Sequence, residues 1–337
     1  ISYIIEVYRK EIEPTKSYVD YLFFVSFFPQ LVAGPIVRAK DFLPQIYQKL
    51  NITKDDVNRA LLLITGGLVK KTVISDYISI NFVDRVFDAP SSYTAFENLM
   101  ASYGYAIQIY CDFSGYSDMA VGLGTMFGFR LPENFNRPYL SKSITEFWRR
   151  WHISLGDFMR NYLYIPLGGN RVSTNRMYLN LFIVFTLSGL WHGANWTFVI
   201  WGSLHGFYLI VAIFRNKYFP SLKLPQNLWG KTLNVFSTFF LVMLAWVFFR
   251  AKNIHDATVI LHKISFTSLT DTLQSPLNQA ELVFCFMLIG LLMLKDWKFF
   301  YVDTSSNKKF WLLTCGLAFL TYFLGVFETN QFIYFQF

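Results

Sequence analysis

A succession of long apolar runs broken by short polar and basic stretches constrains this chain more than anything else in its sequence. The runs are Tyr18–Val32, Ala60–Ile80, Leu99–Tyr110, Met119–Phe129, Tyr178–Leu190, Trp196–Phe214, Leu233–Phe249, Leu282–Leu294 and Phe310–Val326. A straight membrane span needs about 20 apolar residues, with about 17 as a lower limit. Several runs fall short of that. They must be tilted, broken or re-entrant, and such backbone survives at membrane depth only where protein buries it or it lines a cavity. The pattern therefore predicts one all-α integral membrane domain over 1–337, with irregular interior pieces. No internal repeat, low-complexity stretch or soluble domain is visible.

Composition supports lipid as the solvent. Of the 337 residues 53% are hydrophobic and only 15% charged, against roughly 25% charged in soluble domains. The net charge of +8 resembles a nucleic-acid footprint at first. The basic residues, however, sit between apolar runs, where they mark cytoplasmic loops, so no nucleic-acid partner is expected. Cys111, Cys285 and Cys315 form neither a disulfide framework nor a zinc knuckle. The chain starts at Ile1 without a signal peptide, which suggests a start partway into a longer protein.

Loop charge gives an expected sidedness. Arg130, Arg137, Lys142, Arg149, Arg150, Arg160, Arg171 and Arg176 face only Glu133, Glu146 and Asp157 in one loop; Arg215, Lys217, Lys223 and Lys231 face no acid in the next. Both loops are read as cytoplasmic. The runs Tyr178–Leu190 and Trp196–Phe214 then enter and return on one side. At about 1.5 Å per residue the first is roughly 20 Å long, short of a hydrocarbon core of about 30 Å. The turn Ser188–Asn195 is thus expected within the membrane.

His192 sits in that turn. An ionisable side chain at membrane depth is costly and is a functional candidate by default, and an imidazole can take a proton from a hydroxyl. The plainer reading is a histidine that hydrogen-bonds a carbonyl at a helix break. Asn195 has the position of an N-cap for a helix from Trp196. His152 lies in Ser143–Tyr162, read as one amphipathic helix with capping-box spacing at Ser143 and Glu146. Its Arg149 and Arg160 face suits either an anionic donor or lipid head groups. His205, between Gly202 and Gly206, reads as a buried residue at a close helix contact. Asp112 and Asp118 could orient a histidine, contact substrate or cap helix ends. Gly122, Gly124 and Gly128 read as packing glycines, and Lys70, Lys71 and Asp76 either as an internal ion pair or as groups facing a water-filled cavity. No cluster has metal-ligand spacing.

Five ordered motifs then resemble the membrane-bound O-acyltransferase family. They are Phe28-Pro29-Gln30-Leu31-Val32-Ala33-Gly34-Pro35-Ile36, Tyr110-Cys111-Asp112-Phe113-Ser114-Gly115-Tyr116-Ser117-Asp118, Phe147-Trp148-Arg149-Arg150-Trp151-His152-Ile153-Ser154-Leu155, Tyr164-Ile165-Pro166-Leu167-Gly168-Gly169-Asn170-Arg171, and Ser188-Gly189-Leu190-Trp191-His192-Gly193-Ala194-Asn195-Trp196. The resemblance runs nearly to Phe332–Phe337 and is strongest to the bacterial alginate O-acetyltransferase branch, which includes the peptidoglycan O-acetyltransferases. It implies a ring of tilted helices around a central funnel and a multi-pass protein of the bacterial inner membrane. It also implies further helices before Ile1, a catalytic role for His192, and a second functional histidine at His152.

The resulting expectation is acetyl transfer from a cytoplasmic donor, acetyl-CoA, towards an extracytoplasmic polysaccharide or peptidoglycan, with no bound cofactor or metal. His192 serves as general base. Arg149, Arg150, Asn195, Asp112 and Asp118 are the candidate substrate-binding residues. In this branch a separate periplasmic or secreted transferase often receives the acetyl group. D-alanyl transfer to teichoic acid and a non-enzymatic acyl or glycan transporter are the alternatives.

Overall fold

The computed structural model describes residues 1–31, 33–222, 224–225, 227–266, 278–298 and 307–327. Val32, Lys223 and the terminal Phe332–Phe337 segment lie outside the described residues. Among the described residues every element is helical, and the one extended pairing is an isolated bridge between Phe135 and Trp151.

Two helices pack against each other along their length and set the frame. The first begins at a reciprocal capping box, in which the Thr53 hydroxyl accepts the Asp56 N–H and the Asp56 carboxylate accepts the Thr53 N–H; it runs Lys54–Leu68. The second, Ala95–Met126, starts at the same device built from Thr94 and Glu97. Its 32 residues make it about 48 Å long. The runs Leu99–Tyr110 and Met119–Phe129 thus belong largely to one helix, and Asp112 and Asp118 lie in its interior rather than at helix ends. The reason is electrostatic. Lys70 Nζ meets Asp118 at 2.7 Å, and Lys71 Nζ meets Asp76 at 2.7 Å and Asp112 at 2.5 Å. With these partners the acids need no loop. The Ala60–Ile80 run is itself broken: π-helical turns occupy Val69–Ser75 and Ser79–Val83, and the first carries both lysines. Gly122 packs against the Ala60 carbonyl, in keeping with a packing role.

Thr174–His192 and Trp196–Tyr218 form an antiparallel hairpin. A Cβ on Gly202 would stand 2.2 Å from the Phe185 carbonyl oxygen, and one on Gly189 2.2 Å from that of Phe198. The arms can meet this closely only because both positions are glycine. Asn195 caps the second arm, its Oδ1 accepting the Thr197 N–H at 3.1 Å. Trp196–Tyr218 and Leu228–Arg250, each of 23 residues, are long and apolar enough to cross a bilayer. Asn195 Nδ2 donates to the Lys252 carbonyl at 3.3 Å, just beyond the end of Leu228–Arg250, so the turn is level with that helix's end. Polar residues at the base of the first arm continue the helix beyond its apolar stretch.

The core is aromatic, with Phe147, Trp151, Trp201, Trp246 and Phe249 all buried in one cluster.

Candidate functional site

Ser143–Tyr162 is not one helix. Ile144–Trp148 starts at the expected cap, the Ser143 hydroxyl accepting the Glu146 N–H. The chain then turns, and a second helix covers Ile153–Met159 before a π-helical turn at Arg160–Tyr164. The break has a tertiary cause. The Asn136 N–H donates to the Arg150 carbonyl at 2.9 Å and the Ile153 N–H to the Asn134 carbonyl at 3.0 Å. Asn134 Oδ1 also accepts the Ser154 hydroxyl at 2.6 Å. These bonds outcompete the intrahelical ones and leave His152 at φ 44° and ψ 56°, a left-handed conformation uncommon outside glycine, though asparagine, aspartate and histidine adopt it several times more often than other side chains. Its ring, buried, stands edge-on to Phe113 with centroids 4.6 Å apart.

His152 lines a cavity of about 540 Å³ between this broken segment and the hairpin, within the range that holds small-molecule ligands. Its polar lining includes Arg149, Asp157, Arg160, Tyr164 and Asn170, and its apolar lining Trp148, Leu181, Phe185 and Leu209. Gly168 and Gly169 both take positive φ, 105° and 53°, which glycine adopts without steric cost. That turn returns the chain so that the Tyr164 hydroxyl meets Asn170 Oδ1 at 2.6 Å. The wall is fixed from outside by Glu6, which accepts from the Tyr162 hydroxyl and from Arg38 Nε, both at 2.7 Å. Burial works to raise the Glu6 carboxyl, but hydrogen bonds from Tyr162 and Arg38 outweigh it and hold it below its ordinary value.

His192 ends the first hairpin arm, half-buried, its ring packed edge-on against Trp191, Trp201 and Phe249 at 5.0, 5.1 and 5.2 Å. It is not itself a lining residue of the cavity. Ser188, one helical turn earlier, is, and Trp148 of the cavity wall reaches the His192 ring through Trp201. His205 is fully buried, and its Nδ1 accepts the Trp148 indole N–H at 3.3 Å.

The other expected residues are dispersed. Arg149 lines the cavity, whereas Arg150 turns to Glu146 at 2.6 Å. Asp112 and Asp118 are held by Lys71 and Lys70 away from the lining, and Asn195 is engaged in capping and in the bond to Lys252. Ser188, Tyr164 and Asn170 stand within the motifs of the family resemblance, but sequence reasoning gives none of them a role. A further signal for the last two is the Gly168-Gly169 pair, which demands a tight turn between them.

The model of the membrane-bound O-acyltransferase family matches residues 9–249. The chain is 46% identical to "Probable alginate O-acetylase AlgI" of Azotobacter vinelandii, over 84% of this chain and 54% of that protein. It is 39% identical to "Peptidoglycan O-acetyltransferase" of Helicobacter pylori, over 95% of this chain and 64% of that one. It is 33% identical to "Teichoic acid D-alanyltransferase" of Bacillus subtilis, over 69% and 62%. It thus spans little more than half the length of the first of these relatives and less than two thirds of the others. The family match across most of the chain, with the alginate and peptidoglycan relatives aligned over more than four fifths of it, places this chain in the membrane-bound O-acyltransferase family.

Proposed function

We propose that the protein transfers an acetyl group from a cytoplasmic thioester, acetyl-CoA, to a hydroxyl of an extracytoplasmic polysaccharide or peptidoglycan, or of a partner transferase that serves one. The observation that carries this reading is the cavity with Arg149, Arg160 and His152 on its walls and, among its lining, Ser188, one helical turn before His192. Guanidinium groups suit the phosphates of an anionic donor, and the basic loop that carries them favours donor entry from the cytoplasm. His192, near the opposite end of the hairpin, faces the acceptor.

The acceptor hydroxyl gives its proton to the His192 imidazole as its oxygen attacks the thioester carbonyl. The C–S bond breaks, the C–O bond of the ester remains, and the proton finally returns to the departing thiolate. His152 and Arg149 hold the donor. The test is acetyl transfer by the protein reconstituted in bilayers, with radiolabelled acetyl-CoA and a hydroxyl acceptor. His192→Ala is expected to lower the rate by about 10² to 10⁴ without changing thermal stability appreciably. A folded variant that keeps wild-type activity refutes the assignment.

The likeness to the teichoic acid D-alanyltransferase favours D-alanine as a second acyl group. In the same assay, transfer of D-alanine from a carrier-protein thioester but of no acetyl group from acetyl-CoA would select it.

A further inference from the structure

A second cavity lies away from the hairpin, where the loop after helix Ala39–Ile46 meets the start of Lys54–Leu68 and the end of Ala95–Met126. It holds about 370 Å³, within the range of small-molecule sites. Lys49 and Arg130 give its lining two cations, and Gln48 and Asn51 add carboxamides. Among the described residues neither cation forms a salt bridge, and neither carboxamide is hydrogen-bonded. Asp56, the one acid of the lining, is already engaged: its carboxylate accepts the Thr53 N–H at 2.9 Å and the Thr53 hydroxyl at 2.6 Å.

The wall that carries Arg130 is held on both sides. Gln45 Oε1 accepts the Arg130 N–H at 2.8 Å, and Gln45 Nε2 donates to the Arg130 carbonyl at 3.2 Å. Phe129 is buried and stacks on Phe42 with centroids 5.1 Å apart. Gly128 takes φ 81°, which glycine adopts without steric cost, and turns the chain out of the long helix into this wall. Arg130 therefore extends from a fixed backbone, which lowers the ordering cost of any ligand it holds.

The surroundings of the cavity identify the class of ligand. Leu50 and Ile52 of the lining are exposed, and so are Met126 and Phe127 beside Gly128. Phe28, also exposed, stands edge-on to Phe127 at 5.7 Å. A soluble anion would leave these apolar side chains uncovered. A lipid covers them with its chains while its phosphate meets the cations, the pattern of basic pockets that take anionic head groups.

We propose that this cavity binds the head group of an anionic phospholipid. The phosphate rests on Lys49 and Arg130, the head-group hydroxyls meet the Gln48 and Asn51 amides, and the acyl chains run along Leu50, Ile52 and Phe127. The bound lipid ties the segment after Ala39–Ile46 to the helical frame. The inference is independent of the acyl-transfer reading.

The experiment titrates the protein in neutral detergent with phosphatidylglycerol, phosphatidylcholine or glycerol 3-phosphate. Native mass spectrometry reads binding, and thermal unfolding reads stabilisation. Each basic side chain beside an anionic lipid is worth roughly fivefold in affinity. Lys49→Gln combined with Arg130→Gln is therefore expected to weaken phosphatidylglycerol binding about 20-fold and to leave phosphatidylcholine binding unchanged. Arg215→Gln combined with Lys217→Gln, at exposed basic residues outside the cavity, is expected to leave both unchanged. An equal loss in this second pair would mean diffuse attraction to a basic surface and overturn the site, as would phosphatidylcholine binding as tight as phosphatidylglycerol. Glycerol 3-phosphate that binds as tightly and displaces the lipid would overturn the lipid assignment in favour of a soluble phosphate. If the Lys49 and Arg130 pair does not fold, Lys49→Gln alone decides, with an expected loss of about fivefold.

Discussion

His152 holds two jobs that a single alanine variant would confuse. Its backbone occupies the left-handed region at φ 44°, and its ring lines the cavity. Asparagine, like histidine, adopts that conformation more readily than most side chains, and β-branched residues do not. His152→Asn is therefore expected to stay within about 1 kcal/mol of wild-type stability while acetyl transfer falls, whereas His152→Val is expected to lose about 1–3 kcal/mol from backbone strain. Chemical denaturation and the transfer assay on both variants check this. Glu6 offers a second test at this scale. Its folded carboxyl lies below the ordinary value of about 4.5, so it titrates lower in the folded than in the unfolded protein. Its contribution to stability is thus complete above that value and is lost as pH falls through it towards the lowered one. The melting-temperature gap between wild type and Glu6→Gln is expected to be full at neutral pH and to close in acid. A gap independent of pH would show that Glu6 acts by packing alone.

At the scale of the element, the Lys70/Lys71 turn and the long helix Ala95–Met126 stabilise each other's polar groups. Lys71 serves Asp76 and the fully buried Asp112, so Lys71→Leu strands two carboxylates. Breaking a buried pair in this way costs about 3–5 kcal/mol, which thermal or chemical unfolding in detergent would measure. Lys70→Leu is expected to cost less, since the Asp118 side chain keeps 32% of its exposure. The hairpin was legible in outline because Gly202 and Gly206 advertise a close helix contact, and Asn195 advertises the cap. Two other elements were not. Asp112 and Asp118 look like a loop when read along the chain, because their lysines lie some forty residues away. The break at His152 was hidden for the same reason: Asn134 and Asn136 redirect its backbone bonds, and no local propensity records that. The cavity shared this obscurity. Arg149 and His152 were visible as candidates, while Ser188 became one only when the hairpin folded against the broken segment.

Across the whole molecule, the cavity with Arg149 and Arg160 in its lining lies against the hairpin, whose turn with His192 sits level with the end of Leu228–Arg250. On the proposed reading, donor and acceptor approach His192 from opposite faces. The apolar runs foretold the helical membrane architecture; they could not foretell that the broken segment around His152 and the hairpin enclose a cavity between them. The most direct test of this account is a structure of the protein in lipid with a non-transferable thioether analogue of acetyl-CoA. The expected result is an analogue with its phosphates on Arg149 and Arg160 and its acetyl carbon within about 4 Å of the His192 ring, close to the contact distance that reacting groups need. An analogue seated elsewhere, or one whose acetyl group remains walled off from a His192 ring packed against lipid, would contradict it.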